Sequence, residues 1–179
     1  MILWWYYSAM ERKNATPNPQ AGVGFLLSQL GWNQARLFQE TVEPFGLDDP
    51  REFVVLRALA ASDGASQKEV CVSLGITPSR MVALMDALED KGLVERGQNA
   101  RDRRARAVHI TDAGRETLGR AIDALTKAER WLCEPLQAQE RDALLGLLTR
   151  IADHVGLARD FHPARAMSWP WPETEPRTA

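Results

Sequence analysis

The chain has 179 residues, 45% of them hydrophobic, and a formal net charge of −2. This length accommodates one domain of about 130 residues with tails, and it leaves no room for the second domain that an enzyme would need. The sequence contains no run of about 18 apolar residues, so no membrane span is predicted. Glycine-rich phosphate loops, nucleophile elbows and paired-carboxylate signatures are also absent. We therefore expect a cytoplasmic protein that is not an enzyme.

Residues 1–20 form an extension whose role the sequence leaves open. They begin with MILWWYYSAM, an aromatic run without a basic segment or a small-residue cleavage site, so it is a poor signal peptide. Two interpretations remain: the run binds a partner as a strand or helix, or the gene start is over-long and Met10 is the true initiator. The main domain is expected over residues 21–155, followed by a loose proline-containing tail over residues 156–179.

The first two helices are predicted from apolar side chains at helical spacing. One covers residues 22–42 and carries Val23, Leu26, Leu27, Leu30, Leu37 and Phe38. The other begins at the capping segment Asp-Pro-Arg-Glu of residues 49–52 and carries Phe53, Val54, Leu56 and Leu59.

A third helix is predicted directly after residue 66. Ser66 followed three residues later by Glu69 is a capping box, so the helix begins at Gln67. Gly75 ends it, because glycine enters the left-handed conformation without a steric cost. Its buried positions are expected to be Val70, Cys71 and Leu74.

A fourth helix follows after about three or four residues, which is helix-turn-helix spacing. Thr77 is expected to cap this helix by offering its hydroxyl to the free amides, with Pro78 at the first helical position. Gly92 ends the helix, and Leu93 folds back onto its last turn. The inner stripe is expected to consist of Met81, Val82, Leu84, Met85 and Leu88.

The outward side of the fourth helix has short side chains at its start. Thr77, Ser79 and Ala83 are small, and Arg80 is the one long side chain among them. A short face can approach base edges in the major groove of DNA, and arginine can pair with guanine through two hydrogen bonds. A solvated helix start with one surface arginine is the alternative.

An arginine-rich loop between two short strands follows. The strands are predicted over residues 93–96 and 107–110. Between residues 96 and 106, one acid, Asp102, accompanies five arginines, namely Arg96, Arg101, Arg103, Arg104 and Arg106. About four net positive charges therefore gather on this loop, and such a local field favours DNA phosphates and a narrow minor groove. The alternative is a solubilising hairpin tip.

Two further helices are expected to build a dimer together with the first. Thr111 caps a long helix that carries Leu118, Ile122, Leu125 and Leu132 on one side. The last helix is apolar on more than one stripe, through Leu144, Leu145, Leu147, Leu148, Ile151 and Val155. A partner subunit is expected to cover these side chains in a two-fold interface formed by residues 22–45 and 112–155. A self-contained bundle in a monomer is the alternative.

Residues 53–118 resemble the winged helix of the MarR family of bacterial transcription regulators. The resemblance is carried by Leu74-Gly75-Ile76, by the helix exit Leu88…Lys91-Gly92-Leu93-Val94, by Asp102-Arg103-Arg104, and by Ile110-Thr111-Asp112-Ala113-Gly114. It implies a mainly α fold, with a winged helix-turn-helix over about residues 50–112, a small β-hairpin wing, and N- and C-terminal dimerisation helices. The similarity in layout extends over about residues 22–155.

The resemblance also implies roles for individual residues. In this family the wing aspartate anchors the loop and an arginine approaches the minor groove. These residues correspond here to Asp102 and Arg104, with Arg103 as a second candidate. The family's recognition-helix positions fall on Thr77, Ser79 and Arg80. The full set of predicted DNA-contacting residues is Ser66, Gln67, Thr77, Ser79, Arg80, Arg101, Asp102, Arg103 and Arg104.

A two-fold dimer carries two recognition helices, so it is expected to read an inverted repeat in double-stranded DNA. The resemblance implies that binding usually represses transcription and that a small aromatic, phenolic or lipophilic ligand often releases the DNA. Trp32, Phe38, Phe53 and Trp131 are candidates to line the ligand cleft, with plain core packing as the alternative. Two other hypotheses stay open: a DNA-binding protein without small-molecule input, and a winged helix used only for protein contact.

No cofactor or metal site is predicted. Cys71 faces the core of its helix and is expected to be inert, whereas Cys133 ends a helix and is a candidate for exposure. The two cysteines are too far apart in sequence to suggest a metal knuckle or a redox pair. His109 is interpreted as structural or phosphate-adjacent, and His154 and His162 show no metal-ligand spacing.

Overall fold

The computed structural model describes residues 22–62, 64–98 and 106–157. The predicted N-terminal extension, most of the arginine loop and the chain from residue 158 onward lie outside the described residues. The described part is mainly helical and has one two-stranded antiparallel sheet, which confirms the predicted fold class.

Two units make up the chain, residues 1–37 and residues 38–179. The first unit holds most of helix α1, which spans Val23–Val42 and confirms the first predicted helix. The exposed large apolar side chains of this unit are Val23, Phe25, Leu26, Leu30 and Trp32.

The second unit contains the elements of a winged helix-turn-helix. After α1 come a 3-10 helix Glu43–Phe45, α2 Pro50–Ala61, α3 Gln67–Leu74, α4 Pro78–Asp90, β1 Val94–Gln98, β2 Arg106–Ile110, α5 Asp112–Leu132 and α6 Ala138–His154. The two strands pair with Val94 opposite Ile110 and Gln98 opposite Arg106. Within the described ranges, no helix is by itself long and apolar enough to cross a membrane, and α3 with α4 reaches that length only across a bend of 117°.

The core of the second unit forms around α2, which contacts α3, α4, α5 and β2. The fully buried side chains come from several of these elements and include Leu47, Val55, Leu56, Leu59, Met81, Met85, Leu88 and Val108. Burying one such side chain contributes about 1.5–3 kcal/mol. This core therefore determines which sides of α3 and α4 remain exposed.

Hydrogen bonds join the exit of α4 to the start of α5. The Thr111 hydroxyl donates to the Gly92 carbonyl at 2.8 Å and accepts the Gly114 N–H at 3.0 Å. The Thr111 N–H donates to the Leu93 carbonyl at 3.1 Å. A Cβ added at Gly114 would lie only 2.1 Å from the Leu93 carbonyl oxygen. The first turn of α5 thus lies directly against the segment that ends α4.

Helix α6 exposes most of its apolar side chains. No residue of α6 is buried in the described part of the chain. The exposed fraction of its large apolar side chains ranges from 36% at Leu148 to 66% at Leu145. On α5, the described residues that are buried lie in its first half, whereas Ile122 and Trp131 are exposed. These two helices carry more apolar surface than the second unit itself covers.

Candidate nucleic-acid interface

The start of α3 is stabilised by its own cap and lies against the hairpin. The Ser66 hydroxyl accepts the Glu69 N–H at 3.2 Å, and the Glu69 carboxylate accepts the Ser66 N–H at 2.7 Å, which confirms the capping box. The Val108 N–H donates to the Ala65 carbonyl at 3.0 Å, which places β2 beside this helix start. Ser66 and Gln67 are partly exposed at a helix N-terminus, where the helix dipole favours an anion such as phosphate.

A tight turn at residues 75–77 places the start of α4 next to α3. Gly75 adopts a φ of +64°, in the left-handed region, as its sequence position predicts. An open groove of about 500 Å³ lies at this turn, and Gln67 and Thr77 are both among its lining residues. The turn therefore brings predicted contact residues from two helices onto one surface.

Helix α4 directs its predicted contact residues outward. Thr77, Ser79 and Arg80 are exposed. Its inner stripe is at most 5% exposed and consists of Met81, Leu84, Met85 and Leu88. The assignment of Val82 to that stripe was wrong, since 44% of Val82 is exposed. Successive residues of a helix point about 100° apart, and Val82 lies on the side of α4 that faces away from the core.

Thr77 begins α4 without the hydroxyl cap that the sequence predicts. Its backbone is that of an N-cap residue, but its side chain accepts no hydrogen bond from the amides of α4 that the structure describes. The helix starts instead through the Thr77 carbonyl, which accepts the Met81 N–H at 2.9 Å, and through Pro78 at the first helical position. The Thr77 hydroxyl is therefore not committed to the helix start.

Arg96 is not part of a phosphate-facing group of arginines, contrary to the prediction. Its guanidinium forms ion pairs with the Asp86 and Glu89 carboxylates of α4. The hydrogen bond to Asp86 is the main cause of the raised pKa of Arg96. The positive charge available on the loop is therefore smaller than the count of arginines implies. The missed signal was the pair of acids three residues apart on α4, which share one side of a helix.

The predicted wing contacts Arg101, Asp102, Arg103 and Arg104 lie outside the described residues. Their roles in DNA contact stay predictions. The structure does describe the base of the wing, where His109 lies beside Gly97. A Cβ added at Gly97 would lie 3.1 Å from the Cδ2 atom of His109. The imidazole thus packs against the backbone of β1, which agrees with the structural interpretation of His109.

The four aromatic residues predicted to line a ligand cleft have different surroundings. Phe38 and Phe53 pack edge to face, with ring centroids 5.4 Å apart, and Phe53 is only 5% exposed. Trp131 on α5 is 62% exposed, and Trp32 on α1 is 56% exposed. The phenylalanine pair belongs to the core cluster or packs against it, and the ligand role of all four residues stays a prediction.

Both cysteines are buried, so Cys133, a candidate for exposure from its sequence position, is not exposed. Cys133, the C-cap residue of α5, is 8% exposed, and its thiol lies 3.6 Å from a Glu129 carboxylate oxygen. Burial raises the pKa of the Cys71 and Cys133 thiols, and the Glu129 carboxylate raises that of Cys133 further. Neither thiol favours the thiolate that redox chemistry requires. Among the described residues, no group of three or more His, Cys, Asp or Glu side chains is placed to hold a metal ion.

Known proteins with similar sequences and folds regulate transcription. The model of the MarR family matches residues 45–105. A putative transcriptional regulatory protein for the hcr operon of Thauera aromatica is 30% identical over 129 residues, or 72% of this chain and 78% of that protein. The structure of the transcriptional repressor CouR on a 23-mer DNA duplex is 36% identical and covers 78% of this chain and 99% of that chain, with a TM-score of 0.63. A CouR structure with p-coumaroyl-CoA is 34% identical and covers 83% of this chain and 100% of that chain, with a TM-score of 0.61.

Proposed function

The chain belongs to the MarR family of DNA-binding transcription regulators, which are not enzymes, and we propose that it is a homodimeric repressor of the cytoplasm. In this proposal the dimer binds an inverted-repeat operator in double-stranded DNA, and a small aromatic, phenolic or lipophilic ligand releases it. The observation that carries the proposal is the start of α4, where Thr77, Ser79 and Arg80 are exposed and Thr77 lines a groove together with Gln67 of α3.

The exposed start of α4 suits base recognition for a physical reason. Side chains near the N-terminus of a recognition helix enter the major groove, and a guanidinium pairs with guanine through two hydrogen bonds. Arg80 is the long side chain there, and the neighbouring Ser79 is short enough not to crowd it. We assign Arg80 to base contact, together with Thr77 and Ser79.

The remaining predicted contacts are assigned to the DNA backbone. Ser66 and Gln67 lie at the N-terminus of α3, which favours a phosphate. In the wing, Asp102 is proposed to anchor the loop, and the minor-groove or phosphate contacts are proposed for Arg101, Arg103 and Arg104. The structure of the CouR repressor on a DNA duplex supports DNA binding by this fold, because its fold matches over nearly its whole length.

The DNA-binding proposal is tested with a fluorescent duplex from the region upstream of the gene, titrated at several salt concentrations. Arg104→Ala should weaken binding and flatten the salt slope by about one unit per lost phosphate contact. Arg80→Ala should relax base preference, at a cost of about 1–3 kcal/mol. The exposed Arg57→Ala on α2 removes the same charge outside the proposed interface and should change neither property.

Failure would take one of two forms. If the protein binds its upstream DNA no better than random DNA, and Arg104→Ala makes no difference, the winged helix serves protein contact and the DNA proposal is wrong. If Arg80→Ala keeps the original base preference, the assignment of Arg80 to base contact is wrong, while the family assignment stands.

The dimer is proposed from the apolar surfaces of α1, α5 and α6. Leu145 and the other large apolar side chains of α6 are exposed in the single chain, and contiguous exposed apolar surface of this extent marks an association site. Light scattering at micromolar concentration should give twice the chain mass of 20.0 kDa.

A matched pair of variants tests the location of this interface. Leu145→Glu places a charge on α6, at a side chain that is 66% exposed in the single chain, and should produce monomers. Val72→Glu places the same charge on α3, at a side chain that is 75% exposed, and should leave the dimer intact. A wild-type protein of a single 20.0 kDa species would rule out the dimer.

The ligand is proposed to bind a cleft lined by Trp32, Phe38, Phe53 and Trp131. Support comes from CouR, whose structure with p-coumaroyl-CoA resembles this chain. A ligand releases DNA only if it binds the non-binding conformation more tightly than the DNA-bound one. Adding p-coumaroyl-CoA or simple phenols to the preformed DNA complex should therefore lower operator affinity and change tryptophan fluorescence. Unchanged affinity with every compound would favour a regulator without small-molecule input.

A further inference from the structure

An ion cluster around the buried carboxylate of Glu52 joins the end of α4 to the start of α2. The Lys91 ammonium lies 2.8 Å from an Asp48 carboxylate oxygen, and 2.8 Å and 2.9 Å from the two carboxylate oxygens of Glu52. Glu52 is 2% exposed, whereas the Lys91 and Asp48 side chains are 28% and 73% exposed. The cluster therefore has a buried anion at its centre and a solvent-facing carboxylate at its rim.

The two helix ends are electrostatically matched to this cluster. Glu52 lies in the first turn of α2, and Lys91 is the C-cap residue of α4, so each charge lies at the helix end whose dipole favours it. Glu52 is already held in place, because its carboxylate also accepts the Asp49 N–H of the capping box at 3.4 Å. A buried carboxylate without a cation is strongly unfavourable. The ion pair therefore favours a position of Lys91 at Glu52, and with it a fixed position for the end of α4.

The position of this contact affects the other end of α4. Without the contact at Lys91, α4 would tilt about its buried middle at Met85. A helix rises 1.5 Å per residue, so a tilt of roughly 10° would move Ser79, about six residues from Met85, by about 1.5 Å. Hydrogen bonds to base edges do not survive a displacement of that size, because their donor–acceptor distances vary by only about 0.5 Å. Phosphate contacts through long, flexible side chains are less sensitive to it. The position of Lys91 would thus matter more for the base contacts proposed above than for contacts with the DNA backbone.

We propose that Lys91 is a positioning residue for base recognition, which it serves by holding the end of α4 on the buried carboxylate of Glu52. The proposal rests on the function proposed above. It adds that the ion pair between Lys91 and Glu52 sets the orientation of α4. Neither residue touches DNA in this proposal. Sequence reasoning missed the pair because Glu52 and Lys91 lie 39 residues apart.

The test compares three variants with the wild-type dimer. Lys91→Met removes the cation and leaves the Glu52 carboxylate buried without a positive partner. Glu52→Gln with Lys91→Met removes both charges, so the buried anion no longer opposes folding. Arg51→Met is the matched control, because Arg51 pairs with Asp49 within the start of α2 and makes no described ion pair with α4.

Three quantities are measured for each protein: the melting temperature, the affinity for the operator, and the affinity for a duplex of scrambled sequence. Affinities are taken well below the lowest melting temperature, so that every protein is folded. Lys91→Met should lower the melting temperature by roughly 10 °C. It should also lower operator affinity about tenfold, with little change on scrambled DNA. The double variant should recover the melting temperature but not the preference for the operator, and Arg51→Met should keep that preference.

Two results would overturn the proposal. One is a folded Lys91→Met protein that prefers its operator as strongly as the wild type does. The other is a double variant that recovers operator preference together with melting temperature, since Lys91 would then act only by neutralising Glu52. A wild-type protein without any preference for the operator would instead refute the proposed function itself.

Discussion

A methyl group added at Gly114 should destabilise the protein, because the start of α5 packs tightly there against the segment that ends α4. A Cβ at this position would lie 2.1 Å from the Leu93 carbonyl oxygen and 2.8 Å from the Cγ1 atom of Ile110. The carbonyl is backbone and also accepts the Thr111 N–H, so it cannot rotate away as a side chain can. Gly114→Ala therefore requires the start of α5 to move by about 1.3 Å, because ordinary contact distances begin at 3.4 Å.

Two opposing effects determine the magnitude. Alanine favours a helix over glycine by about 0.5–1 kcal/mol. Forcing a methyl group into a filled space costs about 1–3 kcal/mol, and the upper part of that range applies where the obstacle is backbone. We expect a net loss of about 2 kcal/mol, which lowers a urea midpoint by about 1 M for a slope of about 2 kcal/mol/M.

Gly119→Ala is the matched control on the same helix. No described atom lies within 4 Å of the Cβ that this substitution adds, outside the helix's own neighbouring backbone. It should therefore raise stability by about 0.4–1 kcal/mol. Both variants are unfolded in urea at the same protein concentration, because the midpoint of a dimer depends on concentration. A Gly114→Ala midpoint at or above that of the wild type would refute the close contact.

Three further predictions follow from local geometry. Ser66→Ala should lower the free energy of unfolding by about 1 kcal/mol, because the Ser66 side chain caps α3. Thr77→Ala should change it by less than about 0.5 kcal/mol, because the Thr77 side chain does not cap α4. Equal losses in thermal unfolding would contradict this. Burial disfavours the Lys91 ammonium, but two carboxylates outweigh it and raise its pKa above the ordinary 10.5. The stability that Lys91 contributes should thus persist below pH 10.5 and disappear as the pH rises through the higher pKa of the folded state. The measurement is the difference in unfolding free energy between wild type and Lys91→Met, which should shrink over this range. Cys71 and Cys133 should react slowly with a thiol reagent at neutral pH until denaturant is added, and rapid native labelling of either would argue against their burial.

Local signals in the sequence determined the helix-turn-helix. Each of these signals acts on residues within one turn, and each was predicted with its helix boundary. They are the capping box of Ser66, the left-handed glycines Gly75 and Gly92, and Pro78 at the start of α4. The spacing of apolar residues likewise predicted the inner stripe of α4 apart from Val82. Such features depend on neighbours that are three or four residues away, so the order of residues contains them.

Tertiary structure decided which partner each charged or close-packed residue has. The sequence predicted that Arg96 belongs to the phosphate-facing arginines. Its partners, Asp86 and Glu89, come close to it only when β1 packs beside α4, so the sequence alone did not indicate these ion pairs. The anchoring of Lys91 on Glu52 and the need for glycine at residue 114 arise in the same way. These contacts join segments that the folded core brings together, and interactions between distant residues leave no periodic pattern in a single sequence.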